Sequence, residues 1–191
     1  LFDKETPTHV MFVDIGHSSY TVSVVSFIIG QLTVRSAVSD RNLGGRNFDD
    51  AIVRYLAEQF KERHGVDVTS NFKSMLKLQQ AAEKVKKTLS PVGVKEAVAH
   101  IECLHEDIDF SCVITLEKFE EITADLIARL EGPIQQALAE AGLTPADMSH
   151  VEVIGGGTRV EAVKRTLSAL LNLDASKTNF GLSTTLNADE A

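Results

Sequence analysis

The sequence predicts a mixed α/β fold, and three observations carry that prediction. Residues 9 to 39 contain three successive runs with the composition and period of β-strands. From residue 48 the apolar positions change to helical spacing. Near the far end, over residues 150 to 171, an apolar run, a glycine triplet and a helical stripe follow one another directly. At 191 residues and 43% hydrophobic, the chain can bury a substantial core as one domain or two small ones.

The elements follow in order. After Pro7, "HVMFVDI" at residues 9 to 15 is a nearly continuous apolar run, and "YTVSVVSFI" at 20 to 28 alternates at period two. Gly30 turns the chain into "QLTVRSAVS" at 31 to 39, which makes a three-stranded meander. A helix is predicted from Phe48, with Ile52, Tyr55, Leu56 and Phe60 on its stripe, ending near Gly65. The next carries Phe72, Met75, Leu76, Gln79, Ala82, Val85 and Leu89, and Pro91 and Gly93 stop it. "VKEAVAHIECL" and "DFSCVIT" flank His105-Glu106-Asp107 as a hairpin. Thr115 can cap one long helix with Phe119, Ile122, Leu126, Leu130, Ile134 and Leu138 inward, closed by Gly142. "HVEVI" at 150 to 154 is then a strand, Gly155 to Gly157 a loop, and 159 to 171 a helix with Val160, Val163, Leu167 and Leu170 inward. The last stretch, "LDASKTNFGLSTTLNADEA", has no clear period, although Asn187 suits a helix cap with acids in the first turn. Because the chain stops there, it reads as a fragment.

Composition narrows the function. Lys and Arg total 19 against 27 Asp and Glu, a formal charge of −8, which argues against a broad basic surface for nucleic acid. Two cysteines, Cys103 and Cys112, make no disulfide framework and have no metal-ligand spacing, so they read as semi-buried thiols in a reducing compartment. No apolar run approaches the ~20 residues that cross a bilayer, and "LFDKETPTHV" is not a signal peptide. The expectation is a soluble, cytoplasmic protein without membrane or nucleic-acid partners.

Four motifs carry possible chemistry. At the end of the first strand, Asp14 and Gly16 precede His17, Ser18 and Ser19: a phosphate loop, an altered one, or a hairpin capped by aspartate. In the first two cases Asp14 holds a metal-bound water and the N–H groups of residues 16 to 19 face phosphate oxygens. The Gly44-Gly45 pair opens a helix and is either a backbone anion site or a plain turn. Glu83, Lys86, Lys87 and Ser90 share one helical face, whose default explanation is solvation. In "VEVIGGGTRVEAVKR", Gly155, Gly156 and Gly157 let a ligand approach the backbone at a helix start and Arg159 can lie across a flat ring, yet a tight turn fits too. The pattern is neither G-x-G-x-x-G nor a Walker loop.

Taken in order, "FVDIGHSSYTVSV", "LGGRNFDDAI", "AAEKVKKTLS", "DIDFSCVITLEKFEEITADL", "VEVIGGGTRVEAV" and "LNADEA" resemble the second lobe of the ATPase domain of the heat shock protein 70 (DnaK-like) chaperones. The resemblance covers nearly the whole chain, and the glycine-poor "DIGHSSYT" is similar to the large, heat shock protein 110 type branch, fungal-like in character. It implies an actin-like ATPase fold: a ribonuclease H-like base subdomain from residues 1–43 and 122–191, with an inserted α+β upper subdomain from 44–121. It also implies an ATP or ADP site at their junction. Gly155, Gly156, Gly157 and Arg159 would line the adenosine, Glu83, Lys86, Lys87 and Ser90 would reach it from the upper subdomain, and Asp189 would lie near its base. Asp14, Gly16, His17, Ser18, Ser19 and the Gly44-Gly45 pair would face phosphate, with Asp14 holding Mg²⁺ through water.

The hydrolysing members of that family read Asp-Leu-Gly-Gly-Gly-Thr-Phe-Asp at this loop. Here His17 and Ser18 replace two glycines, Ser19 the threonine and Thr21 the second aspartate, which removes a cation ligand. Gly157 stands where a serine or threonine is usual, and Arg46 replaces an acid. The first lobe, with its phosphate loop and catalytic lysine, and the peptide-binding domain are not in these residues. The resemblance therefore implies an inactive lobe of a chaperone whose intact form binds ATP. That protein would act on a partner heat shock protein 70 as nucleotide exchange factor and holdase, taking unfolded clients through other regions. The alternative is an ATP-hydrolysing, peptide-folding heat shock protein 70 with a divergent loop. An actin-like sugar kinase or filament protein is more distant.

Overall fold

The computed structural model describes residues 6–186. In chain order these form β1 (Thr8–Ile15), β2 (Tyr20–Ile28), β3 (Gln31–Asp40), α1 (Gly45–His64), α2 (Phe72–Leu89), β4 (Glu96–His105) and β5 (Ile108–Thr115). There follow α3 (Leu116–Ile122), α4 (Ala124–Ala128), α5 (Glu131–Ala141), β6 (Met148–Ile154) and α6 (Glu161–Leu170). The chain divides into two compact units, residues 1–45 with 126–191, and residues 46–125. Asn187 and Asp189 lie outside the described residues. Among those described, no helix is long and apolar enough to cross a membrane.

In the first unit the meander is present and gains a parallel strand, giving the order β3-β2-β1-β6. Period two sorts the residues by face: Met11, Val13 and Ile15 of β1 stand beside Val24, Val22 and Tyr20 of β2, and all are fully buried. α5 covers that face, where the Ser36 hydroxyl donates to the Ala137 carbonyl at 2.7 Å and the Tyr20 hydroxyl to Leu130 at 2.9 Å. On the other face, toward its end, sit the half-buried Asp14 and Thr21, directly opposed in the β1–β2 register.

The predicted long helix after Thr115 is three helices. Thr115 does cap the first, accepting the Lys118 N–H at 3.1 Å. That helix stops at Thr123, whose hydroxyl turns back to the Phe119 carbonyl at 2.7 Å. Pro133 explains the second break, since its ring would strike the carbonyl four residues earlier and it has no N–H to donate. Phe119, Leu130, Ile134 and Leu138 are still buried, so the inward pattern survived a wrong element boundary. Gly142 closes α5 in the left-handed conformation, φ 68°, as expected.

Helix α1, which belongs to the second unit from Arg46 on, starts at Gly45, three residues before the predicted start, and Gly65 ends it with φ 69°. Phe48, Phe60, Phe110 and Phe119 are fully enclosed, with Phe60 and Phe110 edge to face at 5.4 Å. The stripe of α2 is corrected at its start. Phe72 is 84% exposed, and Ser74 and Leu78 take the inner positions with Ala82, Val85 and Leu89. The cause is polar: the Ser74 hydroxyl donates to the Leu104 carbonyl at 2.6 Å, and the Asn71 side chain caps the Ser74 N–H. β4 and β5 form the expected hairpin, bulged at Cys103, which is exposed, whereas Cys112 is buried. The reading of both thiols as semi-buried therefore fails.

Candidate nucleotide-binding site

β1 and β6 run parallel with Asp14 level with Ile154, so both strands end together and their loops leave from one edge of the sheet. Carboxyl ends of parallel strands are where α/β sheets bind ligands. After β6 the chain turns through Gly155 at φ 85° into a short 3-10 turn, Gly156–Arg159, and α6 begins at Glu161 rather than 159. A Cβ on Gly155 would overlap the Ile15 carbonyl oxygen and lie 2.7 Å from Asp14 Oδ1. One on Gly157 would overlap Ile15 Cγ2. Gly156 is different: no neighbour lies within 4 Å of its added Cβ, so it faces open space. Thr158, which the sequence reading passed over, is buried and donates from its hydroxyl to the Gly155 carbonyl at 2.7 Å, bracing the loop from beneath. A hydroxyl residue directly after glycines was its visible signal. Arg159 is exposed.

The first loop is tight. Gly16 N–H donates to the Ser19 carbonyl at 3.0 Å, leaving His17, Ser18 and Ser19 exposed on the turn. The Gly44-Gly45 pair packs against it: Gly45 N–H donates to the Gly16 carbonyl at 2.8 Å, and a Cβ on Gly44 would come within 2.6 Å of the His17 carbonyl oxygen. Three glycine-bearing turns from distant parts of the sequence thus meet at the end of β1, all within the first unit.

Asp14 sits between them. Burial holds its carboxyl above the ordinary carboxylate range, and no cation pairs with it among the described residues. Opposite it, the Thr21 hydroxyl is bonded to the Ser39 hydroxyl at 2.9 Å. The sign of the linkage is plain: a carboxyl that is harder to ionise when folded binds its proton more tightly in the folded state, so it removes stability as pH rises through its folded pKa. Asp14→Asn is therefore expected to raise the melting midpoint at pH 7, with the gain shrinking as pH falls toward the ordinary carboxylate value. Thermal unfolding at pH 7 and pH 4.5 checks this, and an equal difference at both would contradict it.

The other predicted residues lie on α2 in the second unit. Glu83 and Lys87 pair with each other at 2.7 Å on the exposed surface. Lys86 instead reaches α1, its ammonium 2.8 Å from the Asp49 carboxylate with both side chains 14% exposed. Ser90 ends the helix, donating to the Lys86 carbonyl at 2.8 Å. Sequence spacing placed these four on one face but missed Asp49, which is 37 positions away. Among the described residues no group of three or more His, Cys, Asp or Glu could cage a metal. A cation at Asp14 would thus take most of its ligands from water and phosphate, as Mg²⁺ does. The half-buried carboxylate, with no cation paired to it among the described residues and with backbone at Gly44, Gly155 and Gly157 that leaves no room for a Cβ, fits such a group.

A family profile described as Hsp70 protein matches residues 1–191. The chain belongs to the Hsp70 family. Its fold is accordingly the actin-like ATPase fold, and members of the family bind nucleotide. It is 45% identical over 188 residues to a heat shock protein homolog of Eremothecium gossypii, covering 98% of this chain and 26% of that protein. It is 42% identical over 188 residues to heat shock protein hsp88 of Neurospora crassa, covering 98% and 25%. To heat shock 70 kDa protein 4L of Homo sapiens it is 40% identical over 187 residues, covering 98% and 21%. These relatives belong to the large branch of the Hsp70 chaperones, as "DIGHSSYT" implied. The chain spans about a quarter of the length of the curated relatives it matches.

Proposed function

We propose that this chain is the second lobe of the ATP-binding domain of a large-branch chaperone. In that reading the full-length protein works in the cytoplasm, binding ATP or ADP with Mg²⁺. It acts on a partner heat shock protein 70 as nucleotide exchange factor and holds unfolded clients through other regions. The observation that carries this is the meeting of three glycine turns around Asp14 at the carboxyl end of β1, in a chain of this family. Each residue has a physical task. Asp14 would hold Mg²⁺ through water, its half-buried carboxylate being a group that a cation would favour in the ionised form. The N–H groups of His17, Ser18 and Ser19 face phosphate oxygens, while Gly16, whose N–H is taken by the Ser19 carbonyl rather than offered to phosphate, holds the turn together with Gly44 and Gly45. Gly155, Gly156 and Gly157 let adenosine approach the backbone and Arg159 lies along it. The family resemblance adds Glu83, Lys86, Lys87, Ser90 and Asp189 to the residues proposed for the nucleotide. Mg²⁺ supplies charge neutralisation of the phosphates.

Thr21 supports the exchange-factor reading over the ATP-hydrolysing one. A hydroxyl tied to Ser39 is a poor substitute for a carboxylate, so the bound nucleotide serves as an ordering ligand rather than fuel. At a hundredfold excess over Kd such a ligand adds about 2.7 kcal/mol to the folded, partner-competent state. Gly156→Asp tests the coupling, because the open space at Gly156 accepts a side chain without disturbing the fold. In the full-length protein this variant is expected to keep its melting midpoint without nucleotide, lose ATP binding by calorimetry, and lose stimulation of nucleotide release from a heat shock protein 70. Undiminished stimulation with ATP binding abolished would sink the coupling.

A further inference from the structure

Strand β6 is apolar and buried at Val151, Val153 and Ile154, yet it carries a glutamate between them. Glu152 is only 9% exposed. Burying a carboxylate costs heavily unless it is fully hydrogen-bonded, and among the described residues no cation pairs with this one. Its hydrogen bonds come instead from one short segment. Glu152 Oε1 accepts the Ser183 hydroxyl and, at 2.8 Å, the Thr185 hydroxyl, while Oε2 accepts the Thr185 backbone N–H at 3.2 Å.

The same segment runs parallel to the outer edge of β6. Val153 N–H donates to the Ser183 carbonyl at 2.9 Å and Ser183 N–H to the Val151 carbonyl at 2.8 Å. Without it β6 would be an open edge, since the sheet order ends there. Two backbone bonds make a short ladder, and the carboxylate more than doubles the contacts that hold it. An apolar side chain at 152 would cover the segment but would not set its register. Three directed acceptor contacts do.

Glu152 lies three residues before Gly155, where the backbone already meets Ile15 with no room for a Cβ. A shift of β6 would therefore move the glycine loop against β1. We propose that Glu152 is a positioning residue for the nucleotide: it clamps residues 183–185 to β6 and through that strand sets the Gly155–Arg159 loop. This rests on the nucleotide reading above, although the clamp itself has a separate readout.

The experiment uses the full-length protein and Glu152→Gln, with Thr185→Val as a second variant on an exposed residue that leaves the buried glutamate in place. A glutamine has one acceptor oxygen and would turn its NH₂ toward the Thr185 N–H, donor against donor. Amide exchange at Val153, Ser183 and Thr185 is expected to quicken in both variants. The Kd for ATP is expected to rise about tenfold or more, as losses of supporting contacts around a binding site do, measured where both variants are fully folded. The double variant should be no weaker than the worse single one. Unchanged exchange in both variants would overturn the clamp. Faster exchange with wild-type ATP affinity would overturn the positioning role alone, leaving a merely structural glutamate. Absence of ATP binding by the wild-type protein would overturn the nucleotide reading and the positioning role with it, while the exchange data would still decide the clamp.

Discussion

Alanine at Gly155 is expected to be among the most damaging single-methyl changes in the first unit, costing about 2–6 kcal/mol. The figure combines about 1–3 kcal/mol for a side chain at positive φ with extended ψ, here 85° and 156°, with about 1–3 kcal/mol for overpacking. Both terms apply because Gly155 has φ 85° and its added Cβ would lie 2.7 Å from Asp14 Oδ1 and overlap the Ile15 carbonyl. The Asp14 carboxylate can rotate aside, but the Ile15 carbonyl is backbone and cannot, so β1 and β6 must part to make room. The same change at Gly156 meets nothing within 4 Å and is expected to cost about 1 kcal/mol or less. Chemical denaturation of Gly155→Ala and Gly156→Ala side by side separates the two. Equal losses would mean that the close approach of Ile15 does not govern this loop.

Thr21→Asp should have the largest effect on chemistry. Asp14 and Thr21 are cross-strand partners, so a carboxylate at position 21 would stand beside the one at 14 and offer a cation a second ligand. Metal stabilisation of a transition state is worth several kcal/mol, and each 1.36 kcal/mol is tenfold in rate. ATP turnover by the full-length protein is accordingly expected to be slow in the wild type and to rise about tenfold or more in Thr21→Asp. Asp14→Ala should remove Mg²⁺-dependent binding. Without Mg²⁺ the paired carboxylates repel, so Thr21→Asp should melt lower than the wild type in chelator and recover on adding metal and ATP. The isolated residues 1–191 should turn over no ATP at all. Rapid turnover by the unmodified full-length protein would favour the ATP-hydrolysing reading, and turnover by residues 1–191 that Asp14→Ala abolishes would refute the present one.

Much of this molecule was legible locally. The meander of β1 to β3 follows from period-two burial, and turns at Gly30, Gly65 and Gly142 follow from glycine's access to positive φ, at 81°, 69° and 68°. The helix break before α5 was legible too, in Pro133, but the continuing apolar stripe concealed it. Among site residues, Asp14, Gly16 and the glycine triplet declared themselves by lying at strand ends. Their alternatives, tight turn or ligand loop, could not be separated there, because both use the same residues.

What the sequence determined by itself was the strands, the first two helices, the positions of the tight turns and the family, each a property of neighbouring residues or of motif order. The tertiary structure alone decided which turns meet. It set Gly44 against His17, turned Lys86 to Asp49, exposed Phe72 in favour of Ser74, and closed Glu152 onto Ser183 and Thr185. Each of these depends on a partner far along the chain, and periodicity within one element reports which face is apolar without reporting what that face will meet.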